Sequence, residues 1–213
     1  FFVNSDVLDP RPETELIIEE VLSNIKKKDR NFKILDIGTG CGCLAISLAK
    51  ELKNSNITAI DISEKAINVA KKNINQHNVE KQVNVINLNL ENIKTKFDII
   101  VSNPPYIRED EYQNLQVEIK KFEPKVALVG GKDGLKFYRL FSKKIEKIMK
   151  KNSLFICEIG YNQINSCKAI FRDSNLILKN ISKDLQKIER TLTFLKIWVV
   201  LIFYLYIDNQ IIN

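Results

Sequence analysis

Two adjacent prolines constrain this chain more than any other feature. Phe97-Asp98-Ile99-Ile100-Val101-Ser102 is an apolar, β-branched run that reads as a buried strand. It runs into Asn103-Pro104-Pro105-Tyr106, and neither proline has an N–H with which to continue a ladder. The strand must therefore stop at Asn103, and Pro105 restricts Pro104 to extended backbone. The result is a stiff loop at a strand's carboxyl end, carrying an amide side chain, two main-chain carbonyls and an aromatic ring. In open α/β sheets that edge is where ligands bind. A plain strand-terminating turn would use the same residues, because Asn-Pro is a common breaker. What lies upstream separates the two readings.

Lys33-Ile34-Leu35-Asp36-Ile37 is a core strand that leads into Gly38-Thr39-Gly40-Cys41-Gly42 and a helix from Cys43 to about Leu52. Such glycines let backbone pass close to a ligand, and the helix N-terminus turns its free N–H groups towards it. Ile57-Thr58-Ala59-Ile60-Asp61 is a second strand. Its terminal acid matches the residue that hydrogen-bonds a ribose in nucleotide-binding α/β folds. Ser63 caps a helix from Glu64 to about Gln76, and Val83 to Leu88 makes a third strand. This rhythm predicts a doubly wound, parallel sheet with right-handed crossovers. The G-x-G-x-G spacing disfavours dinucleotide binding, and the missing Gly-Lys-Ser/Thr ending argues against an NTPase. One glycine loop is a weak signal. Glycine loop, strand-end acid and N-P-P-Y in order, each at a strand's carboxyl end, is a specific one.

The remaining segments complete an α/β domain. Phe1-Phe2-Val3 reads as a short strand. Pro12 opens a helix with Glu13 and Glu15 in its first turn, and Leu16, Ile17, Glu20, Val21 and Ile25 mark its inward stripe. Beyond Tyr106 a polar stretch to Lys121 is expected to be partly helical and to cover the site. A helix from Leu135 to about Lys150, a strand from Ser153 to Ile159 and a helix from Gln163 to Phe171 follow. Strands near Leu176–Ile181 and Thr191–Ile197 finish the sheet. From Leu195 to Ile207 the chain is apolar apart from Lys196 and Asp208 follows, which is short of the roughly 20 residues of a membrane span. Residues 1–197 are therefore read as one domain and 198–213 as an atypical tail. The net charge of +7 permits an anionic partner, but the lysines are spread along helical patterns, as biased base composition alone would spread them. Cys41, Cys43, Cys157, Cys167 and the single His77 form no metal pattern, and fit a reducing cytoplasm. The chain starts at Phe1 rather than Met without a secretory signal, and is expected to be a fragment.

These residues resemble the HemK/PrmC-type protein-(glutamine-N5) methyltransferases, which act on peptide-chain release factors. The likeness is carried by Asp6-Val7-Leu8, Pro10-Arg11-Pro12-Glu13-Thr14-Glu15, Asp36-Ile37-Gly38-Thr39-Gly40-Cys41-Gly42 and Asp61. It continues through Ser102 to Ile107, Glu123-Pro124, Gly130-Gly131-Lys132-Asp133-Gly134-Leu135, Glu158-Ile159-Gly160, Asp184-Leu185 and Glu189-Arg190. The resemblance implies the class I S-adenosylmethionine-dependent methyltransferase fold, a mostly parallel seven-stranded sheet. It implies S-adenosylmethionine as cofactor and, as substrate, the glutamine of the release-factor Gly-Gly-Gln motif, in the cytoplasm. Residue by residue, it assigns catalysis to Asn103, Pro104, Pro105 and Tyr106. Cofactor binding falls to Gly38, Thr39, Gly40, Cys41, Gly42, Asp61, Leu90 and Asn103, with no metal. Three departures stand out. The family's N-terminal helical domain is not in this sequence, Asn89-Leu90 replaces the usual Asp-Trp, and nothing after Lys196 matches. Without the tryptophan ring, looser adenine contact is expected.

An amide nitrogen is a poor nucleophile, because its lone pair is delocalised into the carbonyl. Acceptors that hold both its hydrogens orient it and stabilise the charge developing on it, and the Asn103 side-chain oxygen and Pro104 carbonyl suit that role. Tyr106 can pack on the amide face and offer π-density to cationic charge. An N6-adenine methyltransferase of DNA or RNA is the alternative, since adenine's exocyclic amine poses the same problem and a flipped base would reach the same loop. Pro-Arg-Pro-Glu-Thr-Glu and Gly-Gly-x-Asp-Gly favour the protein substrate over nucleic acid. A cofactor-binding remnant without activity is the third reading, against which the intact N-P-P-Y argues.

Overall fold

A computed structural model describes residues 1–197; the apolar tail read from the sequence, 198–213, lies outside the described residues. The strands are β1 (Lys33–Ile37), β2 (Asn56–Asp61), β3 (Val83–Asn87), β4 (Phe97–Ser102), β5 (Met149–Glu158), β6 (Leu176–Lys183) and β7 (Glu189–Lys196). The helices are α1 (Glu15–Ser23), α2 (Cys43–Glu51), α3 (Glu64–Gln76), α4 (Val117–Phe122), α5 (Lys125–Leu128), α6 (Lys136–Ile148) and α7 (Ile164–Phe171). They build one seven-stranded sheet in the order β3-β2-β1-β4-β5-β7-β6. The pairs from β3 through β5 are parallel, while β7 enters antiparallel between β5 and β6.

Both faces of the sheet are covered, which is why its central strands are continuously apolar. Alternate residues part to opposite sides. Ile34, Ile99, Val101 and Ile156 pack with Ile17 and Val21 of α1 and Leu44 and Leu48 of α2. Leu35, Ile100, Phe155 and Cys157 pack with Tyr138 and Phe141 of α6 and Phe171 of α7. Glu20, on the inward stripe of α1, is satisfied there. Its carboxylate accepts from Asn180, Ser182 and Thr193, which anchors α1 to β6 and β7. All four cysteines are free thiols.

Two expectations are corrected. Phe1-Phe2-Val3 is not a strand, because the Phe2 backbone groups bond a helix side chain and not a ladder partner. It lies instead against α3, where buried Asn73 accepts from the Phe2 N–H at 2.7 Å and donates to the Phe2 and Cys41 carbonyls at 2.8 Å each. The helix expected to reach Lys150 ends at Ile148, since Met149 is already paired with Phe97 in the sheet. Tertiary pairing overrides the helical pattern there. No helix among the described residues is long and apolar enough to cross a membrane.

Candidate active site

The carboxyl ends of β1, β2 and β4 open on one cavity of about 800 Å³. Its wall beside β1 is the glycine loop. The Gly38 and Thr39 N–H groups both donate to the Ile60 carbonyl, at 2.9 and 3.0 Å, so the loop folds over the end of β2. A Cβ added at Gly38 or Gly40 would meet nothing within 4 Å, and both residues have positive φ, 71° and 55°. The loop thus presents bare backbone to open cavity, a cradle that any side chain would begin to fill. Cys41 lines the cavity too, whereas Gly42 lies off it, where a Cβ would meet Ala70 and Ile46 at 3.4 Å.

Two carboxylates hold this loop. Asp61 accepts from the Gly40 N–H at 3.0 Å through one oxygen and from the Ser63 N–H at 2.9 Å through the other. It lines the cavity and keeps lone pairs for a ligand. Asp36 is fully buried and receives the Thr39 hydroxyl at 2.6 Å. Its other oxygen is buried and, among the described residues, accepts no hydrogen bond of normal geometry. Burial pushes this carboxyl up to about 7 even though the Thr39 bond opposes it.

Opposite stand Asn103 and Pro104, which line the cavity and also an adjoining pocket of about 160 Å³ that includes Tyr106, Ile119 and Leu128. The Asn103 Nδ2 donates to Thr14 Oγ1 at 2.8 Å. Thr14 Oγ1 donates in turn to Glu158 Oε2 at 2.9 Å, and the Tyr106 hydroxyl donates to Glu158 Oε1 at 3.1 Å. Burial raises the Glu158 carboxyl to about 7, partly offset by its bonds from Thr14 and Tyr106. It also raises the Tyr106 phenol, which faces that carboxylate. Among the described residues, Asn103 Oδ1 and the Pro104 carbonyl receive no protein donor, so both acceptors stay available.

The backbone after the prolines is clasped from below. Ile107 bridges Val129, its N–H donating to the Leu128 carbonyl at 2.9 Å. The Gly130 and Gly134 backbones press on Pro105 and Tyr106 so closely that a Cβ at Gly130 would come within 2.5 Å of the Pro105 oxygen. This is the physical reason for the Gly-Gly-x-Asp-Gly run. The polar stretch from Ile107 to Lys121 is partly helical, as expected, but it does not line this cavity. Ile107 and Ile119 line the adjoining pocket, and it is α5, beyond the stretch, that reaches the cavity through Lys125, Val126 and Ala127. The N-terminal segment forms another wall, and Arg11 pairs with Glu123 across the rim.

Of the residues picked from sequence, Gly38 to Cys41, Asp61, Leu90, Asn103, Pro104 and Pro105 are brought together around the cavity. Tyr106 stands behind, in the adjoining pocket, with its hydroxyl committed to Glu158. Leu90 forms cavity wall and core at once, only 4% exposed. Asn89 caps the short turn at Leu90–Asn92, its Oδ1 accepting from the Glu91 N–H at 3.0 Å. Sequence reasoning named Thr14 and Glu158 only as carriers of the resemblance and gave neither a role in the site. The available signal was a charged residue ending an apolar strand at the same sheet edge as Asp61.

A glycine cradle after the first strand, an acid ending the second and an acceptor-rich loop ending the fourth, on this sheet order, define a class I S-adenosylmethionine-dependent methyltransferase fold. Residues 12–123 match the Methyltransferase small domain family. The chain is 40% identical to the release factor glutamine methyltransferase of Clostridium acetobutylicum, over 89% of this chain and 68% of that protein. It is also 40% identical to a bifunctional methyltransferase of Rickettsia bellii, over 90% of this chain but 39% of that protein, and so spans less than half of that relative. The protein-(glutamine-N5) methyltransferase of Alicyclobacillus acidocaldarius shares the fold, with a TM-score of 0.54 at 24% identity over 89% of this chain and 94% of that one. The chain belongs to the release factor glutamine methyltransferase family.

Proposed function

We propose that this chain transfers a methyl group to the side-chain amide nitrogen of a glutamine in a peptide-chain release factor, the glutamine of its Gly-Gly-Gln motif. Residues 1–197 are the catalytic unit in this reading, and the substrate implies action in the cytoplasm. The carrying observation is the pair of unengaged acceptors at the rim, Asn103 Oδ1 and the Pro104 carbonyl, beside a cavity walled by bare glycine backbone.

Gly38, Thr39, Gly40 and Cys41 would receive S-adenosylmethionine, Asp61 would accept from its ribose hydroxyls, and Leu90 would form part of the wall. Bound there, the cofactor supplies a methyl group on a sulfonium, already a good electrophile. What remains for the protein is alignment. Asn103 Oδ1 and the Pro104 carbonyl each accept a hydrogen bond from one amide N–H, which turns the nitrogen into place and puts two dipoles where positive charge develops. One of the two N–H protons leaves to water once the nitrogen is methylated. Tyr106 supports the loop from behind through its hydroxyl bond to Glu158, at 3.1 Å, rather than exposing its ring fully. The prolines hold the two carbonyls in position without an N–H to compete for them.

The test offers release factor, DNA and RNA side by side to the chain with labelled cofactor. Label on the release-factor glutamine supports the reading. Label on adenine would replace it with the N6-adenine alternative, and no label on any of the three would favour a non-catalytic role.

A further inference from the structure

We infer that Thr14 and Glu158 form a positioning relay that dictates which end of the Asn103 amide faces the substrate. The inference rests on the reading of Asn103 as the acceptor for a substrate amide, and it adds two residues to that role.

An asparagine amide is nearly symmetric in shape but opposite in chemistry at its two ends, so something must choose its orientation. Here the choice is made two bonds away. Glu158 is buried, 1% exposed, and as a carboxylate it only accepts hydrogen bonds. One of its oxygens takes the Tyr106 hydroxyl and the other takes Thr14, at 2.9 Å. Thr14 has a single hydroxyl proton, and that proton is committed to Glu158. Towards Asn103 it therefore presents only lone pairs. The NH2 end of Asn103 satisfies them, at 2.8 Å. The reverse orientation would set the Asn103 oxygen against the Thr14 lone pairs, with no proton between the two oxygens. Oδ1 is consequently held on the cavity side, as an acceptor for an N–H. Thr14 is itself 6% exposed, at the junction of the Pro12 turn and α1, with its hydroxyl set between Glu158 and Asn103.

Protonation of Glu158 should release this choice. A neutral carboxyl has a proton of its own to give to Thr14, which frees the Thr14 hydroxyl to turn to Asn103. Both amide orientations then become satisfiable, and one of them offers NH2 to an NH2 substrate. The groups facing Glu158 are Thr14, Tyr106, Glu13 and Arg190. Glu13 opposes ionisation. Arg190 favours it, although its own closest partner is Asp184 at 2.8 Å. Burial dominates and brings the transition to about pH 7.

The experiment compares Thr14→Val, Thr14→Ser and Glu158→Gln with the wild-type chain. Single-turnover methyl transfer to release factor is measured from pH 6 to 9, with cofactor affinity by calorimetry. Thr14→Val should lower the single-turnover rate roughly 100-fold, as misplaced reacting groups do, with cofactor affinity nearly unchanged. Thr14→Ser should restore most of it. The wild-type rate should rise with pH through about 7, and Glu158→Gln should flatten that rise. A wild-type rate in Thr14→Val, or no rescue by serine, would overturn the relay. The second readout is independent of substrate: the Asn103 side-chain NH2 resonances in a ¹⁵N spectrum. They should shift as Glu158 titrates in the wild type and lose that shift in Glu158→Gln. Failure of the wild type to methylate release factor would sink the glutamine reading alone. Silence of the Asn103 resonances through the Glu158 titration would sink the relay alone.

Discussion

Gly134→Ala probes how the loop at Asn103–Tyr106 is held in place, and its cost can be worked from the backbone. Gly134 sits at φ +73°. An alanine in left-handed backbone costs roughly 1–2 kcal/mol. Its Cβ would lie 2.6 Å from the Gln163 Nε2 and closer still to the Tyr106 carbonyl oxygen. Those two atoms are themselves hydrogen-bonded at 2.9 Å. Displacing Gln163 loses that bond, worth about 0.5–1.5 kcal/mol. Forcing a methyl group against packed backbone adds about 1–3 kcal/mol. The total is about 2.5–6.5 kcal/mol, a large share of the roughly 5–15 kcal/mol that holds a domain together. Gly131→Ala is the control. It also has positive φ, +91°, but its Cβ would meet only the Lys136 side chain, 3.2 Å away at the nearest. Only the backbone cost of about 1–2 kcal/mol applies there. Urea unfolding at constant m-value reads both. Gly134→Ala should also slow methyl transfer in protein that stays folded, because the Tyr106 carbonyl cannot hold its position. If Gly134→Ala loses no more stability than Gly131→Ala, the clasp on Tyr106 is not what positions the loop.

Asn103→Ala should lower single-turnover transfer by roughly 100- to 1,000-fold, the cost of deleting one preorganised electrostatic contact, and Asn103→Asp should retain more activity because an acceptor survives. Asp61→Ala should weaken S-adenosylmethionine binding by about 1.5–3 kcal/mol in calorimetry, the range for hydrogen bonds to a charged group, and it should loosen the Gly40 backbone as well. Leu90→Trp should tighten the cofactor, since the residue stands in the cavity wall; unchanged or weaker affinity would count against that placement. Stability should rise as pH falls from 8 to 5. Glu158 and Asp36 are both raised to about 7 from ordinary values of 4.5 and 3.8, so the folded chain holds two protons that the unfolded chain releases over this interval. That stabilisation is complete below the unfolded values and is lost as pH climbs through 7. Its ceiling is on the order of 3–4 kcal/mol per group, and melting temperatures of wild type and Glu158→Gln at the two pH values would measure the Glu158 share.

Much of the architecture is legible in the sequence, because strand ends and helix starts are local events. Pro104 and Pro105 cannot ladder, so β4 ends at Ser102 whatever surrounds it. Ser63 accepts from the Ala66 N–H and starts α3 where a capping residue should. The glycine cradle and Asp61 were readable for the same reason, each being set by a strand and the few residues after it. Other features had no local signature. The insertion of β7 between β5 and β6 is a choice among strand neighbours, decided by which apolar faces meet α1 and α7. Phe1 to Val3 carries a strand's composition, yet the Phe2 N–H and carbonyl are taken by the Asn73 side chain of α3, not by a strand. Thr14 looked like one residue in a helix start and Glu158 like the end of a strand. Their bond joins positions 144 residues apart, and Asn103 reaches Thr14 across another 89. A hydroxyl's single proton goes to whichever buried acceptor the packing brings beside it, and periodicity within one's own segment carries no information about that partner. Backbone conformation was therefore written locally, while the direction of the Asn103 amide was settled only when α1, β4 and β5 came together.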